Sequence, residues 1–240
     1  MAKRIFKPCI KGIRKIRHSK GYGVHSPFAF NLITKVIEED FMYYAYGDIE
    51  QIRRNFLRGN LSRKDLNLRK NISFRKASLL FRLVNYFKPS SILEIGTAWG
   101  ISTLYLKKAH TISDLTVIEP DHYIAKTALD IIKKSGEKIF LQEGDPWMEK
   151  LSSQMKKNPD FIVLHQFKSG IYPLLLELFV QNIQENSVLV IEGIYSNKKI
   201  KSFWEALKTT DKVRVTMDLY DYGIIFCNVK LNKQDYVVAF

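Results

Sequence analysis

From Ser91 onward the sequence alternates short apolar runs with longer amphipathic segments, and this alternation constrains the fold more than any other feature. Such alternation is typical of βαβ units with parallel strands. It predicts seven strands, at Ser91–Ile95, Leu115–Ile118, Lys138–Gln142, Phe161–His165, Ser187–Ile191, Val213–Leu219 and Gly223–Asn228. It also predicts helices at Ser102–Ala109, Tyr123–Lys134, Trp147–Met155, Tyr172–Ile183 and Ile200–Leu207.

The last two predicted strands are separated only by Tyr220, Asp221 and Tyr222. A connection this short cannot make a crossover, so the two strands must pair as an antiparallel hairpin. The sequence therefore predicts an α/β fold with a doubly wound, Rossmann-like, seven-stranded and mostly parallel sheet. An antiparallel hairpin at the C-terminus closes this sheet.

The positive charge of the chain is confined to its N-terminal third. Residues 1–90 contain 20 Lys and Arg against 6 Asp and Glu, whereas residues 91–240 contain 18 of each. A basic field attracts phosphates, acidic lipid surfaces or acidic substrates, and a basic face that only aids solubility is an equally open interpretation. We expect a basic helical extension over residues 1–75, with possible contact to polyanions, and a separate domain over residues 76–240.

Local signals divide this extension into helices and a loop. Isoleucines at near-helical spacing predict a basic amphipathic helix within Met1–Gly23. Ser26 and Pro27 are typical of a helix start, and Phe28–Ile37 continues that helix. The polar, arginine-rich stretch Arg53–Arg75, ahead of a helix at Lys76–Phe87, is the best candidate for a mobile lid.

Cysteine usage and hydropathy indicate a reducing, cytoplasmic location. The two cysteines, Cys9 and Cys227, have no metal-ligand spacing and suggest no disulfide framework. The longest apolar stretch, Ile171–Val180, contains Glu177 and is far shorter than the roughly 20 residues that span a bilayer. We therefore expect no transmembrane segment.

The strongest chemical signal is the run from Ile92 to Gly100, in which a buried strand leads into a glycine-containing turn. Ligands of open α/β sheets bind at the carboxyl ends of strands, where glycine permits close approach of the backbone. The spacing E-x-G-x-x-x-G is neither the dinucleotide G-x-G-x-x-G nor a P-loop. The turn thus predicts a cofactor site that is not built for NAD or ATP.

The segment from Glu94 to Thr103 reads E-x-G-T-x-x-G-x-S-T. It resembles the cofactor motif of class I S-adenosylmethionine-dependent methyltransferases, in particular the small-molecule O-methyltransferase branch. The resemblance covers roughly Lys76 to the C-terminus. It implies S-adenosylmethionine as the cofactor, with its methionine end surrounded by Glu94, Gly96, Thr97, Gly100 and Ser102.

The next two strand ends continue the resemblance. Glu119 ends the second strand, where an acidic residue can accept hydrogen bonds from both ribose hydroxyls. Asp145 and Pro146 follow the third strand in a segment similar to the family's G-D-A, which implies contact with adenine.

The fourth and fifth strand ends depart from the family's metal site. Metal-dependent members place an Asp and then an Asp-Asp or Asp-Asn pair there, but this chain has His165, Glu192 and Gly193. We therefore expect no magnesium site. His165 is a candidate general base that Glu192 would orient. The alternatives are that His165 only hydrogen-bonds the cofactor, or that catalysis has been lost.

A second resemblance concerns the N-terminal extension. Gly23–Phe28 and Leu219–Phe226 are similar to segments of a group of bacterial, chiefly Bacteroidetes-type, methyltransferases that carry such an extension. The resemblance implies no particular substrate.

Three functions therefore stay open at this point. The first is methyl transfer from S-adenosylmethionine to an oxygen or nitrogen of a small-molecule acceptor. The second is a binding protein on the same scaffold that has lost catalysis. The third is nucleic-acid modification, because arginines between 53 and 75 interleave with Phe56, Phe74 and Phe81 and could track a phosphate backbone. No Asn-Pro-Pro-Tyr-like motif follows the fourth strand to support this third function.

Overall fold

A computed structural model describes the backbone of residues 2–58, 72–166 and 170–240. These residues form an α/β fold with an eight-stranded sheet, so the predicted fold class is confirmed with one strand more than expected. The chain divides into two compact units. We call residues 40–165 the continuous unit, and residues 1–39 with 166–240 the two-segment unit. The boundary predicted between residues 75 and 76 stays a prediction.

The continuous unit contains four parallel strands in the order β3-β2-β1-β4. Most of them form because runs of Val, Ile and Leu are buried on both faces, as parallel strands require, whereas the strand Phe140–Glu143 at the end of this order is partly exposed. Their bounds are Ser91–Ile95 (β1), Asp114–Glu119 (β2), Phe140–Glu143 (β3) and Phe161–Leu164 (β4). Ile95 is in register with both Ile118 and Leu164, and Glu119 with Glu143, so the carboxyl ends of the four strands meet at one edge.

Five α-helices lie in the described part of the continuous unit. They are α3 (Tyr44–Arg58), α4 (Phe74–Phe87), α5 (Ile101–Ala109), α6 (His122–Lys134) and α7 (Trp147–Met155). Side-chain caps fix two of their starts. Ser73 accepts a hydrogen bond from the Lys76 amide at the start of α4, and Asp121 accepts bonds from the Tyr123 and Ile124 amides at the start of α6.

Helix α3 corrects the predicted loop over Arg53–Arg75, because Arg53 to Arg58 are helical. Arg53 is buried, forms an ion pair with Glu50 at 3.0 Å and donates to the Ile72 carbonyl. Arg53, which the sequence pattern assigned to a loop, therefore lies on the buried face of α3. The rest of the proposed lid, residues 59–71, lies outside the described residues.

An aromatic cluster packs α3 against α4 and α5. The Tyr46 ring lies 5.0 Å from Phe81 and 5.4 Å from Tyr105, and all three side chains are buried. The Tyr105 hydroxyl donates to the Glu50 carboxylate at 2.8 Å. Burial raises the pKa of Tyr105, and the hydrogen bond to Glu50 raises it further. The arginine-rich pattern suggested that Phe81 could stack on a nucleic-acid base. Phe81 is instead a core residue and is not available for stacking.

The two-segment unit contains strands in the order β5-β7-β6-β8, with β7 antiparallel to β5 and β6. They span Val188–Glu192 (β5), Val215–Asp218 (β6), Tyr222–Phe226 (β7) and Gln234–Val237 (β8). The predicted antiparallel hairpin is confirmed. The sequence missed β8, which pairs in parallel with β6, because it is a short strand that begins with the polar residues Gln234 and Asp235.

The helices of this unit are α1 (Ala2–Arg17), α2 (Pro27–Leu32), α8 (Tyr172–Asn182) and α9 (Lys198–Lys208), with a π-helical turn at Ile33–Ile37 after α2. The predicted cap is confirmed, since the Ser26 side chain accepts from the Ala29 amide. Among the described residues, no helix combines the length and the apolar character needed to cross a membrane.

Helix α1 is attached to the tip of the β6–β7 hairpin by its basic side chains. Arg14 makes a bidentate contact with Asp218, at 2.7 and 3.0 Å, and Lys11 pairs with Asp221. Although burial opposes it, the hydrogen bond and charge of Asp218 raise the pKa of Arg14. The Tyr195 hydroxyl also donates to Asp218, at 2.5 Å. Two ion pairs and this neighbouring hydrogen bond therefore fix the orientation of α1 within its unit.

Candidate functional site

The carboxyl edge of the continuous unit brings together residues from four strand ends. The Gly96 amide donates to the Ile118 carbonyl at 2.8 Å, and the Gly144 amide donates to the Glu119 carbonyl at 3.1 Å. The His165 amide donates to the Ile95 carbonyl at 2.9 Å. These bonds extend the parallel ladders past the strands. They align the glycine turn after β1 with the segments that follow β2, β3 and β4.

The turn after β1 has an unusual backbone. Four of its residues have a positive φ angle, a region in which residues other than glycine are rare. The φ angles are 79° at Gly96, 39° at Ala98, 64° at Trp99 and 81° at Gly100. The Thr97 hydroxyl steadies the turn, because it accepts from the Gly100 amide at 3.1 Å. Strained backbone of this kind concentrates at ligand sites and switch regions.

Glu94 is the centre of a buried hydrogen-bond network behind this turn. Its carboxylate accepts from the hydroxyls of Ser102 and Thr103, each at 2.5 Å, and lies 3.0 Å from Nε2 of His165. Glu94 and Ser102 are 0% exposed, and His165 is 4% exposed. The network joins β1, the start of α5 and the end of β4. It assigns Glu94 and Ser102 a structural task; their contact with a cofactor stays a prediction.

Glu119 lies beside the same turn at the end of β2. Its two carboxylate oxygens accept from the backbone amides of Thr97 and Asp121, each at 3.0 Å. Both of these amides belong to segments that border the glycine turn, Thr97 within it and Asp121 at the start of α6. The backbone thus holds the Glu119 carboxylate at a fixed position next to the glycine turn.

Asp145 and Pro146 follow β3 in an exposed turn and are joined by a cis peptide bond. Lys150 steadies this turn from α7, because its ammonium donates to the Glu143 carbonyl at 2.7 Å. The structure therefore places Asp145 at the same edge as Glu119, as the sequence predicted.

Sequence reasoning missed several residues of this edge. Thr103 bridges the site, since its hydroxyl contacts both Glu94 and the Thr97 hydroxyl, the latter at 2.6 Å. Trp99 is buried, and its ring lies 5.8 Å from that of Tyr123, which is about half exposed. The Ser-Thr pair at the start of α5 was the available signal for Thr103, whereas nothing in the spacing indicated the Trp99–Tyr123 contact.

The remaining predicted positions belong to the two-segment unit. Glu192 ends β5 and Gly193 follows it with a φ of 71°. A Cβ atom on Gly193 would lie 1.8 Å from Nε2 of Gln166, so the Gln166 amide fills the space of any side chain there. In the described parts of the chain, His, Cys, Asp and Glu form no group of three or more suited to a metal. The pairing of Glu192 with His165 stays a prediction.

No model of a known protein family matches the sequence, and no curated protein matches it significantly. Solved structures do match. The methyltransferase PaMTH1 of Podospora anserina, bound to S-adenosylhomocysteine, has a TM-score of 0.63 and 15% identity over 85% of this chain and 96% of its own. The chain has a methyltransferase fold. The O-methyltransferase of Bacillus cereus in complex with S-adenosylhomocysteine has a TM-score of 0.57 and 18% identity, over 81% of this chain and 94% of its own.

A third similar structure is the O-methyltransferase TomG of Streptomyces achromogenes, involved in tomaymycin synthesis and solved with S-adenosylmethionine. Its TM-score is 0.54 at 18% identity, and the match covers 82% of this chain and 93% of TomG. At these identities the similarity establishes the fold and does not establish the reaction.

Proposed function

We propose that this protein is an S-adenosylmethionine-dependent methyltransferase that acts on an oxygen or nitrogen of a small-molecule acceptor. The observation that carries the proposal is the carboxyl edge of the continuous unit. There the glycine turn, Glu119, Asp145 and His165 lie at four neighbouring strand ends, in a fold shared with methyltransferases. Ligands of open α/β sheets bind at this edge.

The residues of the edge fit the parts of the cofactor. The backbone amides of Thr97 and Asp121 hold the Glu119 carboxylate beside the glycine turn, and a carboxylate at the end of the second strand suits two ribose hydroxyls. The turn at Gly96 presents main chain without a side chain, so a ligand can approach closely. Asp145 is an exposed acceptor at the next strand end, where it suits the amino group of adenine.

The chemistry asks little of the protein beyond positioning. When bound, S-adenosylmethionine would supply an electrophilic methyl group, which bonds to the acceptor atom as its bond to sulfur breaks and S-adenosylhomocysteine leaves. The residues of the chain then have to orient the acceptor and take its proton. His165 is our candidate for the base that takes the proton from the acceptor. The Glu94 carboxylate, 3.0 Å from Nε2 of His165, orients the imidazole. Glu192 remains a second candidate for that orienting role.

Glu119→Ala should weaken binding of S-adenosylhomocysteine by about 1.5 to 3 kcal/mol, the usual scale for hydrogen bonds to a charged group. Calorimetry on the folded variant measures this directly. Asp130→Ala, which removes an exposed carboxylate from α6 of the same unit, should leave the affinity unchanged. If both variants bind S-adenosylhomocysteine with equal affinity, Glu119 does not contact the cofactor. Release of S-adenosylhomocysteine on adding acceptors then distinguishes an enzyme from a binding protein.

Turnover should not require a divalent cation. The position after Glu192 is a glycine, which offers no side-chain ligand, and Mg²⁺ needs several oxygen ligands in near-octahedral geometry. We expect equal rates in excess chelator and in millimolar magnesium, measured as S-adenosylhomocysteine released. Loss of activity in chelator, restored by one added metal, would contradict this.

A further inference from the structure

In the described side chains of helix α1, two cations face the β6–β7 hairpin while isoleucines face solvent. Lys11 and Arg14 are held by Asp221 and Asp218. Three isoleucines are increasingly exposed toward the end of the helix: Ile10 by 37%, Ile13 by 54% and Ile16 by 86%. A surface helix of a soluble protein normally turns its apolar stripe to the core. The reverse arrangement leaves an aliphatic row in solvent.

The sequence that contains this aliphatic row is basic, and the Glu38 carboxylate is held against its end by the Lys20 amide, at 2.8 and 2.9 Å. The first acidic residue of the chain is Glu38, and nine basic residues precede it: Lys3, Arg4, Lys7, Lys11, Arg14, Lys15, Arg17, Lys20 and Lys35. Lys15, Arg17 and Lys20 are exposed, and Tyr22, just past the helix, is 85% exposed. An exposed apolar row with a positive border has the composition of a helix that lies in a membrane interface.

We propose that the outward face of α1, defined as Ile10, Ile13 and Ile16 with Lys15 and Arg17, binds the surface of an anionic lipid bilayer. The isoleucines would enter the region below the headgroups, while the cations stay level with the lipid phosphates. The ion pairs of Arg14 and Lys11 matter here, because they prevent α1 from turning its aliphatic row inward. The contact is peripheral and independent of the proposed methyl transfer.

The composition of the face favours lipid over two other partners. Proteins that bind single-stranded nucleic acid stack its bases on aromatic rings, and the row on α1 is aliphatic. A second copy of the same helix would present a surface of the same positive sign, so the two faces would repel each other. An anionic bilayer has negative headgroups above an apolar layer, which match the basic border and the aliphatic row of the face.

Flotation of the full chain with vesicles tests the proposal. Vesicles of equal parts phosphatidylglycerol and phosphatidylcholine should bind the protein at about 0.1 M salt, and pure phosphatidylcholine vesicles should bind it far more weakly. The double variant Ile13→Gln/Ile16→Gln should lower partitioning onto the anionic vesicles by roughly tenfold or more. Both positions are more than half exposed, so the variant should fold normally, which thermal unfolding verifies.

The matched control is Phe41→Gln/Met42→Gln in the continuous unit. These side chains are 75% and 71% exposed, but they follow the acidic run Glu38, Glu39 and Asp40. Removing equally exposed apolar groups beside acidic residues should change vesicle binding less than twofold if the basic border of α1 decides the contact.

Three results would overturn the proposal. The first is no flotation with anionic vesicles. The second is equal flotation of Ile13→Gln/Ile16→Gln and wild type, which would reduce the contact to charge alone. The third is tighter binding to poly(U) RNA than to vesicles, unchanged in the double variant, which would assign the face to nucleic acid.

Discussion

Gly100→Val is expected to abolish measurable binding of S-adenosylhomocysteine. Gly100 has a φ of 81°, and a Cβ atom there would lie 3.1 Å from the carbonyl oxygen and 3.2 Å from the Cα of Ala128 in α6. Those atoms are main chain, so they yield only if the helix or the turn moves. A displacement of the turn would carry Thr97 away from the Glu119 carboxylate. We expect at least a 100-fold loss of affinity by calorimetry, about 2.7 kcal/mol.

The control for this variant separates the backbone penalty from the steric one. Gly136 has a φ of 74°, but a Cβ atom there meets nothing within 4 Å. Gly136→Val therefore imposes a similar left-handed strain in the same unit without pressing on the site. It should lower the thermal unfolding temperature and preserve binding. Gly96→Val should also abolish binding, because Gly96 lies in the turn itself between β1 and Thr97, and wild-type affinity in both variants would place the cofactor elsewhere.

The order of the elements was readable from the sequence because most of the strands, among them β1, β4, β5 and β7, are almost completely buried. Runs such as Phe161–Leu164 have no polar interruption, and each is flanked by turn residues, so all seven predicted strands were found with ends shifted by at most two residues. The exception, β8, has exposed Gln234 and Asp235. A strand at the end of the sheet order is stabilised by one neighbour, β6, and needs no apolar signature of its own.

Helix α3 was missed for a different reason. Its inward face includes Arg53, whose charge is satisfied by Glu50 and whose guanidinium reaches the Ile72 carbonyl. A pattern that counts arginine as polar interprets such a residue as solvent-facing. Pairing of charged groups inside the fold is a tertiary property, and local periodicity does not contain it.

The candidate site shows the same limit. The glycine turn and Glu119 were identified because each belongs to one short segment. The contact of Glu94 with His165 depends on β1 pairing with β4, which are 71 residues apart along the chain at these side chains. The contact of Gln166 with Gly193 likewise joins the segments after β4 and β5. Spacing along the sequence names the residues at strand ends, but the pairing of the strands decides which of them meet.

His165→Ala is expected to lower turnover by roughly 100-fold or more while binding of S-adenosylhomocysteine stays within a few-fold of wild type. The imidazole lies at the end of β4, and Glu94 holds its Nε2 at 3.0 Å. Ser102 and Thr103 in turn hold the Glu94 carboxylate, so the histidine has a fixed direction. A base that is already oriented needs no rearrangement when the acceptor arrives.

A positioning role would give a different result, and His165→Gln distinguishes the two. The glutamine amide can still donate to Glu94, but it cannot take a proton from an acceptor. If His165 is the base, His165→Gln should be as slow as His165→Ala. If glutamine restores turnover, His165 only supports Glu94 and the turn. His110→Ala serves as the control, because that imidazole bonds Ser113 and not Glu94.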